Sequence, residues 1–379
     1  MTITGSGSEN EILFVHSRLR LGGAEQLRVT VLQELRRQEI PCRVCVFRDS
    51  GELVGAVRRL GIPTDVLDVS GKIYSLRTTL KLASYISRIR PRIIHGGQFL
   101  TNLHTTLASI LAGTGPVVIE EHGHYHWKRW YHRFLDRMVC ARADSVLCCS
   151  HSVKRFAQQG LRLPERRFRV LHNCVDMQSL DGANESSRQR VRKKLGIPDD
   201  TVVFGTVSTL RREKGHRVLL DAWRLILDTT DHQSVRLLIV GDGPLGEELR
   251  NMSADLDSVI WVGQRPSPAE FLAAMDVFVF PSVNEGLGIA LLEAMATGLP
   301  VIAANCGGIP EIVENSNLVP PENPGVLSRA MADMVGDKRR LSRRFPDASD
   351  LRNSRFHPRW YVNGLLDLHR NLICSGTAP

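Results

Sequence analysis

The chain has 379 residues, 42% of them hydrophobic and 23% charged. This composition excludes a disordered chain and, at this length, points to two domains rather than one core. Net charge is +9 but uneven: residues 1–176 hold 26 Lys and Arg against 15 Asp and Glu (+11), and the remainder hold 23 against 25 (−2). An acidic partner for the first half (an anionic membrane surface, a phosphorylated acceptor or nucleic acid) therefore stands level with a plain solvated, arginine-rich surface.

Residues 1–10 are polar and rich in glycine and serine, without the basic, apolar and cleavage segments of a secretory signal. No run of 18 apolar residues occurs, so no membrane span is expected and a cytoplasmic location is. Residues 12–15 form an apolar run that predicts a buried strand, followed by Gly22-Gly23 and a helix over 24–37. Further strands are expected at 44–47, 93–95, 117–120, 145–148 and 168–171, with helices over 76–90 and 102–112. Cys42 and Cys45 make a C-x-x-C, but residues three apart on a strand face opposite sides, which favours buried apolar thiols over a redox or zinc pair. The irregular spacing of the eight cysteines argues against a disulfide framework.

The alternation pauses between Asp176 and Asp200 in a polar, arginine-rich stretch, read as the interdomain region. It restarts with a strand at 202–207, a helix over 215–227 and strands at 237–240, 259–262, 277–280 and 301–304. A terminal helix is expected over 358–372. Strands separated by helices predict parallel sheets covered on both faces. The expected fold is thus α/β: two doubly wound Rossmann-like domains, 1–176 and 177–379, facing across a cleft lined by the carboxyl ends of the strands. The terminal helix could pack back on the first domain.

Four loops carry chemistry. Leu21-Gly22-Gly23-Ala24-Glu25 follows the first strand, where glycines allow close backbone approach and a helix N-terminus favours an anion. It is not G-x-G-x-x-G, which weakens a dinucleotide reading and with it an NAD-linked oxidoreductase. Thr209-Leu210-Arg211-Arg212-Glu213-Lys214-Gly215 joins a strand to a helix, and a cation there can neutralise a diphosphate, although alone it reads as a solvated basic loop. Pro281-Ser282-Val283-Asn284-Glu285-Gly286-Leu287-Gly288 leads into a helix that carries Glu293 among apolar neighbours. A charge in such a helix wants a partner, and two carboxylates flanking a glycine-rich helix N-terminus suit sugar and ribose hydroxyls on either side of a diphosphate. Glu120-Glu121-His122-Gly123-His124 ends a strand and places a histidine at its carboxyl end. The following Tyr125-His126-Trp127-Lys128-Arg129-Trp130-Tyr131-His132-Arg133 mixes cations with aromatics, as a phosphate or lipid contact does, or one face of a packed helix.

Together these residues resemble the family-4 retaining glycosyltransferases of the GT-B fold, over nearly the whole chain. The most specific match is Glu285 to Glu293, the family's E-x7-E, with Ala294-Met295-Ala296 and Gly298, Pro300 and Val301 behind it. Val240-Gly241-Asp242-Gly243-Pro244-Leu245 and Asn173-Cys174-Val175-Asp176 also match. The resemblance implies donor-binding roles for Gly22, Gly23, Lys214, Glu285, Gly286, Leu287, Gly288 and Glu293. Lys214 would hold the diphosphate, Glu285 the transferred sugar and Glu293 the ribose. His122 would meet the sugar, with His122, Glu285 and Lys214 as the catalytic set. It implies a nucleotide diphosphate sugar as donor, UDP-sugar ahead of GDP-mannose, with no obligatory metal and no other cofactor. The implied acceptor is lipid-linked or polysaccharide, in cell-envelope glycan synthesis, with peripheral attachment to the inner face of the membrane and no nucleic-acid partner.

One departure stands out: Ser208-Thr209-Leu210 replaces the family's Gly-Arg-Leu, so Thr209 occupies the place of a diphosphate-binding arginine, which Arg211 or Arg212 could replace. The segment around Asn315-Ser316-Asn317 is also shorter than usual. Two alternatives remain: a transferase acting on a soluble small molecule, and a weakly active or non-catalytic GT-B partner subunit. A sugar-nucleotide epimerase would share the architecture. A metal-dependent transferase would need a D-x-D after a strand, and Asp255-Leu256-Asp257 precedes one.

Overall fold

The computed structural model describes residues 11–19, 22–48, 51–69, 75–125, 129–231, 234–336 and 355–375. The chain divides into two compact units, Met1–Cys174 with Pro358–Pro379, and Val175–His357. The expected second domain, 177–379, therefore ends at His357, and the terminal helix (Pro358–Ser375) belongs to the first unit, where it packs on the first helix.

In the first unit, β1 (Ile12–His16), β2 (Cys42–Val46), β3 (Thr64–Val66), β4 (Ile93–Gly97), β5 (Val117–Glu121), β6 (Ser145–Cys148) and β7 (Phe168–Val170) form one parallel sheet. Its order is β3-β2-β1-β4-β5-β6-β7. β1, β2, β4, β5 and β6 are buried along their whole length: residues 12–15 and 117–119 are unbroken apolar runs, while Arg43, His95, Glu120 and Glu121 are buried polar members of these strands. The crossovers are α1 (Gly23–Arg37), α2 (Glu52–Arg59), α3 (Leu76–Ile89), α4 (Phe99–Ala112), α5 (Trp130–Arg142) and α6 (His151–Leu161). Ser75 and Ser150 cap α3 and α6 by accepting from Thr78 N and Val153 N. Cys42 and Cys45 are both buried on β2, and burial pushes the Cys42 thiol up to about 12 and that of Cys45 higher still. Both are free thiols whose burial disfavours the thiolate, which fits buried apolar side chains better than a redox pair.

The second unit holds β8 (Val202–Val207), β9 (Val235–Val240), β10 (Val259–Gly263), β11 (Val277–Phe280), β12 (Val301–Ala304) and β13 (Leu318–Val319), parallel and ordered β10-β9-β8-β11-β12-β13. Its helices are α7 (Glu185–Leu195), α8 (His216–Leu227), α9 (Gly246–Met252), α10 (Ala269–Ala274), α11 (Ile289–Ala296) and α12 (Pro324–Gly336). The core gathers Phe204, Trp223, Leu237, Val277 and Met331.

The polar stretch between Asp176 and Asp200, expected as the interdomain region, instead lies within the second unit. It contains α7, capped by Asn184, and two of its arginines point inward. Arg188 and Arg192, both nearly fully buried, converge on Asp276 at 2.9 and 2.5 Å. They also donate to the carbonyls of Ala273, Ala274 and Met275, which ties α7 to the end of α10. Pairing and full hydrogen bonding are what make such burial tolerable. Asp255 forms a two-pronged contact with Arg224 at 2.6 and 2.8 Å on the surface, which draws its carboxyl down to about 2. This is an exposed ion pair before β10, not a metal-binding motif after a strand.

Each sheet reverses its winding once, between β1 and β4 and between β8 and β11. Those are the crevices where open α/β sheets bind ligands, at the carboxyl ends of the strands.

Candidate functional site

In the second unit the loops after β8, β9 and β11 are pressed together through glycines. A Cβ on Gly215 would lie 1.9 Å from the Pro281 carbonyl, and one on Gly241 1.9 Å from that of Ser208. Both glycines have positive φ, 72° and 141°, so any side chain would be strained as well as crowded. Val283 N donates to Glu213 O at 2.9 Å, and Leu210 N to Asp242 O at 3.1 Å. Close approach of three backbones is thus what the glycines provide.

This scaffold brings Lys214 to Glu285: Nζ lies 2.5 Å from Oε2, both side chains being only part-exposed. Lys214 also sits over the Phe280 ring, 5.8 Å from its centroid. His216, buried behind the loop, bonds Ser208 Oγ through Nε2 at 2.9 Å. Burial, helped by the Lys214 charge, lowers the His216 pKa to about 4, so the ring is neutral at pH 7. Gly286, Leu287 and Gly288 are buried, and Leu287 turns its side chain into the core, leaving only its backbone N–H for a ligand. Gly288, φ 97°, precedes α11 without a side-chain cap, so the N–H groups of the first turn remain free to meet an anion. Glu293 lies on the second turn of α11. Burial, and then the nearby Asp176 carboxylate, raise its pKa to about 7.

Thr209, Arg211 and Arg212 are exposed on the same loop. Among the described residues neither arginine side chain makes an ion pair. They lie three and two residues before Lys214.

In the first unit, the expected His122 belongs to a larger buried network. Its Nε2 is 3.1 Å from Glu120 Oε2, and His95 Nδ1 is 3.0 Å from Glu120 Oε1. Arg28 pairs with the same carboxylate and lies over the Phe14 ring. Burial pushes the Glu120 carboxyl up, but Arg28 and the hydrogen bonds from His122 and His95 outweigh it and hold the carboxyl well below its usual range. Glu120 is therefore an anion that can only accept, and this fixes the tautomers. His95 donates from Nδ1 and accepts at Nε2 from His369, 2.7 Å away on the terminal helix. His122 donates from Nε2, and among the described residues its Nδ1 has no hydrogen-bond partner. Burial depresses His16 to about 3 and His369 to about 2, so both are neutral.

The Gly22-Gly23 turn starts α1, and Gly22 leaves room there for the Glu25 carboxylate, which accepts from Gln98 Nε2 at 2.7 Å. Glu25 is an acidic residue in the first turn of α1, where the helix dipole favours it. Gln98 itself, at the carboxyl end of β4, has φ 78°, a strained value for a residue with a side chain and one that clusters at functional sites. Arg28, His95, His369 and Gln98 were not singled out in the sequence, since nothing local marks a pairing across tens to hundreds of residues. The His126, Trp127 and Lys128 part of the aromatic–cationic cluster lies outside the described residues.

Comparison with known proteins places these geometries. Residues 21–179 match the model of glycosyltransferase family 4, and residues 201–337 that of glycosyl transferases group 1. The UDP-Gal:alpha-D-GlcNAc-diphosphoundecaprenol alpha-1,3-galactosyltransferase of Escherichia coli is 25% identical, over 81% of this chain and 83% of that protein. A D-inositol 3-phosphate glycosyltransferase of Corynebacterium glutamicum is 33% identical, but over only 48% of this chain and 46% of its own length. Among solved structures, Anabaena Alr3699/HepE in complex with UDP-glucose superimposes with a TM-score of 0.80 at 22% identity, covering 96% of this chain and all of that one. That likeness shows the fold, GT-B.

Proposed function

This chain belongs to the group 1, family-4 glycosyltransferases, which use nucleotide sugars, and we propose that it transfers a sugar from a UDP-sugar to a lipid-linked acceptor with retention of anomeric configuration. The observation that carries the reading is the Lys214–Glu285 pair beside the uncapped N-terminus of α11, at the crevice between β8 and β11. GDP-mannose is the second donor to test.

The chemistry follows from charge. As the bond from the anomeric carbon to the diphosphate oxygen breaks, positive charge grows on the sugar and negative charge on the leaving group. Lys214 and the N–H groups of α11 stabilise the diphosphate, as preorganised donors do wherever an oxyanion develops. In the unliganded enzyme Lys214 and Glu285 neutralise each other. A bound diphosphate takes Lys214, and Glu285 is released to accept from a sugar hydroxyl. The acceptor oxygen forms its bond on the face the diphosphate leaves, and its proton passes to the departing phosphate. His122, held by Glu120, offers Nδ1 to a sugar hydroxyl. Since the leaving group is already an anion, no acid–nucleophile pair of carboxylates is needed. Lys214 offsets part of the diphosphate charge and the backbone donors hydrogen-bond to it, and this reading includes no obligatory metal.

A lipid-linked acceptor is supported by the +11 balance of residues 1–176 and by the diphosphoundecaprenol acceptor of the E. coli relative. The inositol-phosphate relative favours a second reading, a soluble phosphorylated acceptor. Incubating UDP-glucose and UDP-galactose with each acceptor class, then reading UDP release and the anomeric coupling of the product by NMR, tests donor, acceptor and stereochemistry together. An inverted product or no UDP release rejects the proposal.

Glu293 gives this site a pH signature. Ribose hydroxyls donate best to an ionised carboxylate, and Glu293 ionises only near pH 7 in the free protein. UDP affinity is therefore expected to rise as pH passes through about 7, with proton release on binding. For stability the sign is opposite: a raised carboxyl favours the folded state below its unfolded value and loses that advantage as pH climbs through about 7. Glu293→Gln should flatten the pH dependence of binding, and Glu293→Ala should weaken UDP by about 1.5–3 kcal/mol. Calorimetry in two buffers of different ionisation heat reads both. Proton release that persists in Glu293→Gln rules out the ribose assignment.

The Thr209 departure makes a further test. If Arg211 or Arg212 serves the diphosphate, one of the two alanine variants loses turnover by roughly tenfold or more, the size of one charge-assisted hydrogen bond. Full turnover in both excludes compensation. Thr209→Arg is then expected to raise activity.

A further inference from the structure

Of the eleven large apolar side chains exposed among the described residues, nine lie on three consecutive helices of the first unit, α3, α4 and α5. The helices are neighbours, α4 packing against both α3 and α5. On α5, Trp130, Phe134 and Met138 are 80%, 59% and 54% exposed and recur every four residues, which lines them along one strip. Ile110 and Leu111 on α4 and Leu80 on α3 extend the apolar face.

The charge pattern of these helices is one-sided. α4 carries no charged residue, and α3 carries only Arg77, Lys81 and Arg88. α5 adds Arg133, Arg137 and Arg142, and its one acid, Asp136, is buried. The face is therefore apolar and positive, with no exposed negative side chain. A second copy of the same face would meet it with like charge. A surface that accepts aromatic side chains at its polar boundary and cations among its phosphates matches both features.

We propose that the α3–α4–α5 face docks on an anionic lipid bilayer, with Trp130, Phe134 and Met138 among the headgroups and Arg133 and Arg137 against lipid phosphates. No helix of the described residues is long and apolar enough to cross a membrane, so contact of this kind is at the surface. The proposal deepens the reading of a lipid-linked acceptor by giving the enzyme a route to one. Vesicle binding needs neither donor nor acceptor, so the two stand or fall separately.

Flotation of the full chain with phosphatidylcholine vesicles, with and without phosphatidylglycerol, at low and high salt, is the test. The protein is expected to float with anionic vesicles at low salt, and to be released by high salt or by omission of the anionic lipid. Each cation removed should weaken partitioning roughly fivefold, so Arg133→Gln with Arg137→Gln should lower it about 25-fold. Trp130→Ser with Phe134→Ser should lower it as well, with an unchanged circular dichroism spectrum because both side chains are exposed. Arg329→Gln, exposed in the second unit, should float like the parent. Absence of flotation with anionic vesicles at low salt overturns the proposal, as does flotation indifferent to the α5 substitutions. A sedimenting dimer that Trp130→Ser with Phe134→Ser dissolves would assign the face to a second copy and overturn it too.

Discussion

Lys214→Ala is expected to lower kcat by two to three orders of magnitude, about 2.7–4 kcal/mol, while UDP still binds. The figure is that of losing one preorganised donor to a developing oxyanion. Lys214 is part-exposed and its Nζ meets Glu285 at 2.5 Å, so its removal leaves a carboxylate close to water and the fold intact. The remaining Glu285 charge then faces the diphosphate unneutralised, which adds to the kinetic loss. Glu285→Gln alone should cost less, since it removes the sugar contact but leaves Lys214 free for phosphate. Because the two share one interaction, the double variant should fall short of the sum of the single losses. Steady-state kinetics with the four proteins reads this cycle. A Lys214→Ala enzyme within threefold of the parent kcat rejects the leaving-group role.

The second large effect is on stability. Glu120→Gln should destabilise the first unit by about 3–5 kcal/mol, because it strands the buried Arg28 guanidinium without a counter-charge. For a unit of this size that is a fall in melting temperature on the order of 10 °C. Arg28→Met combined with Glu120→Gln should recover much of it, since replacing both members of a buried pair removes the uncompensated charge. His122 would still lose its anchor in the double variant. A stable protein with low turnover is therefore expected, and thermal unfolding alongside the UDP-release assay separates the two. A Glu120→Gln protein that melts with the parent contradicts the account of the network.

Much of the architecture was legible because buried parallel strands are marked by unbroken apolar runs such as 12–15 and 277–280, and because glycines mark the loops after them. The E-x7-E spacing, set by a helix N-terminus, is likewise local, and Lys214 and Glu285 could be named from their own loops. What stayed hidden depends on pairing at a distance. Arg188 and Arg192 read only as part of a polar interdomain stretch because nothing near them announces Asp276, 84 residues on from Arg192. Glu120 and His122 stood out at a strand end, but His369, two contacts away through His95, is 274 residues from its partner. The three-residue β3 and the two-residue β13 are too short for any periodicity to show. The exposed strip on α5 was half-visible as an aromatic–cationic cluster, yet only the helix shows which residues share a face.

The central claim is that the crevice between β8 and β11 holds the nucleotide diphosphate. Hydrogen–deuterium exchange with and without saturating UDP, resolved by peptide, tests it most directly. The account predicts protection over 208–216 and 281–296, where the loops after β8 and β11 meet, and loss of that protection over 281–296 in Glu293→Ala. Saturable UDP binding with exchange unchanged over both segments would contradict it.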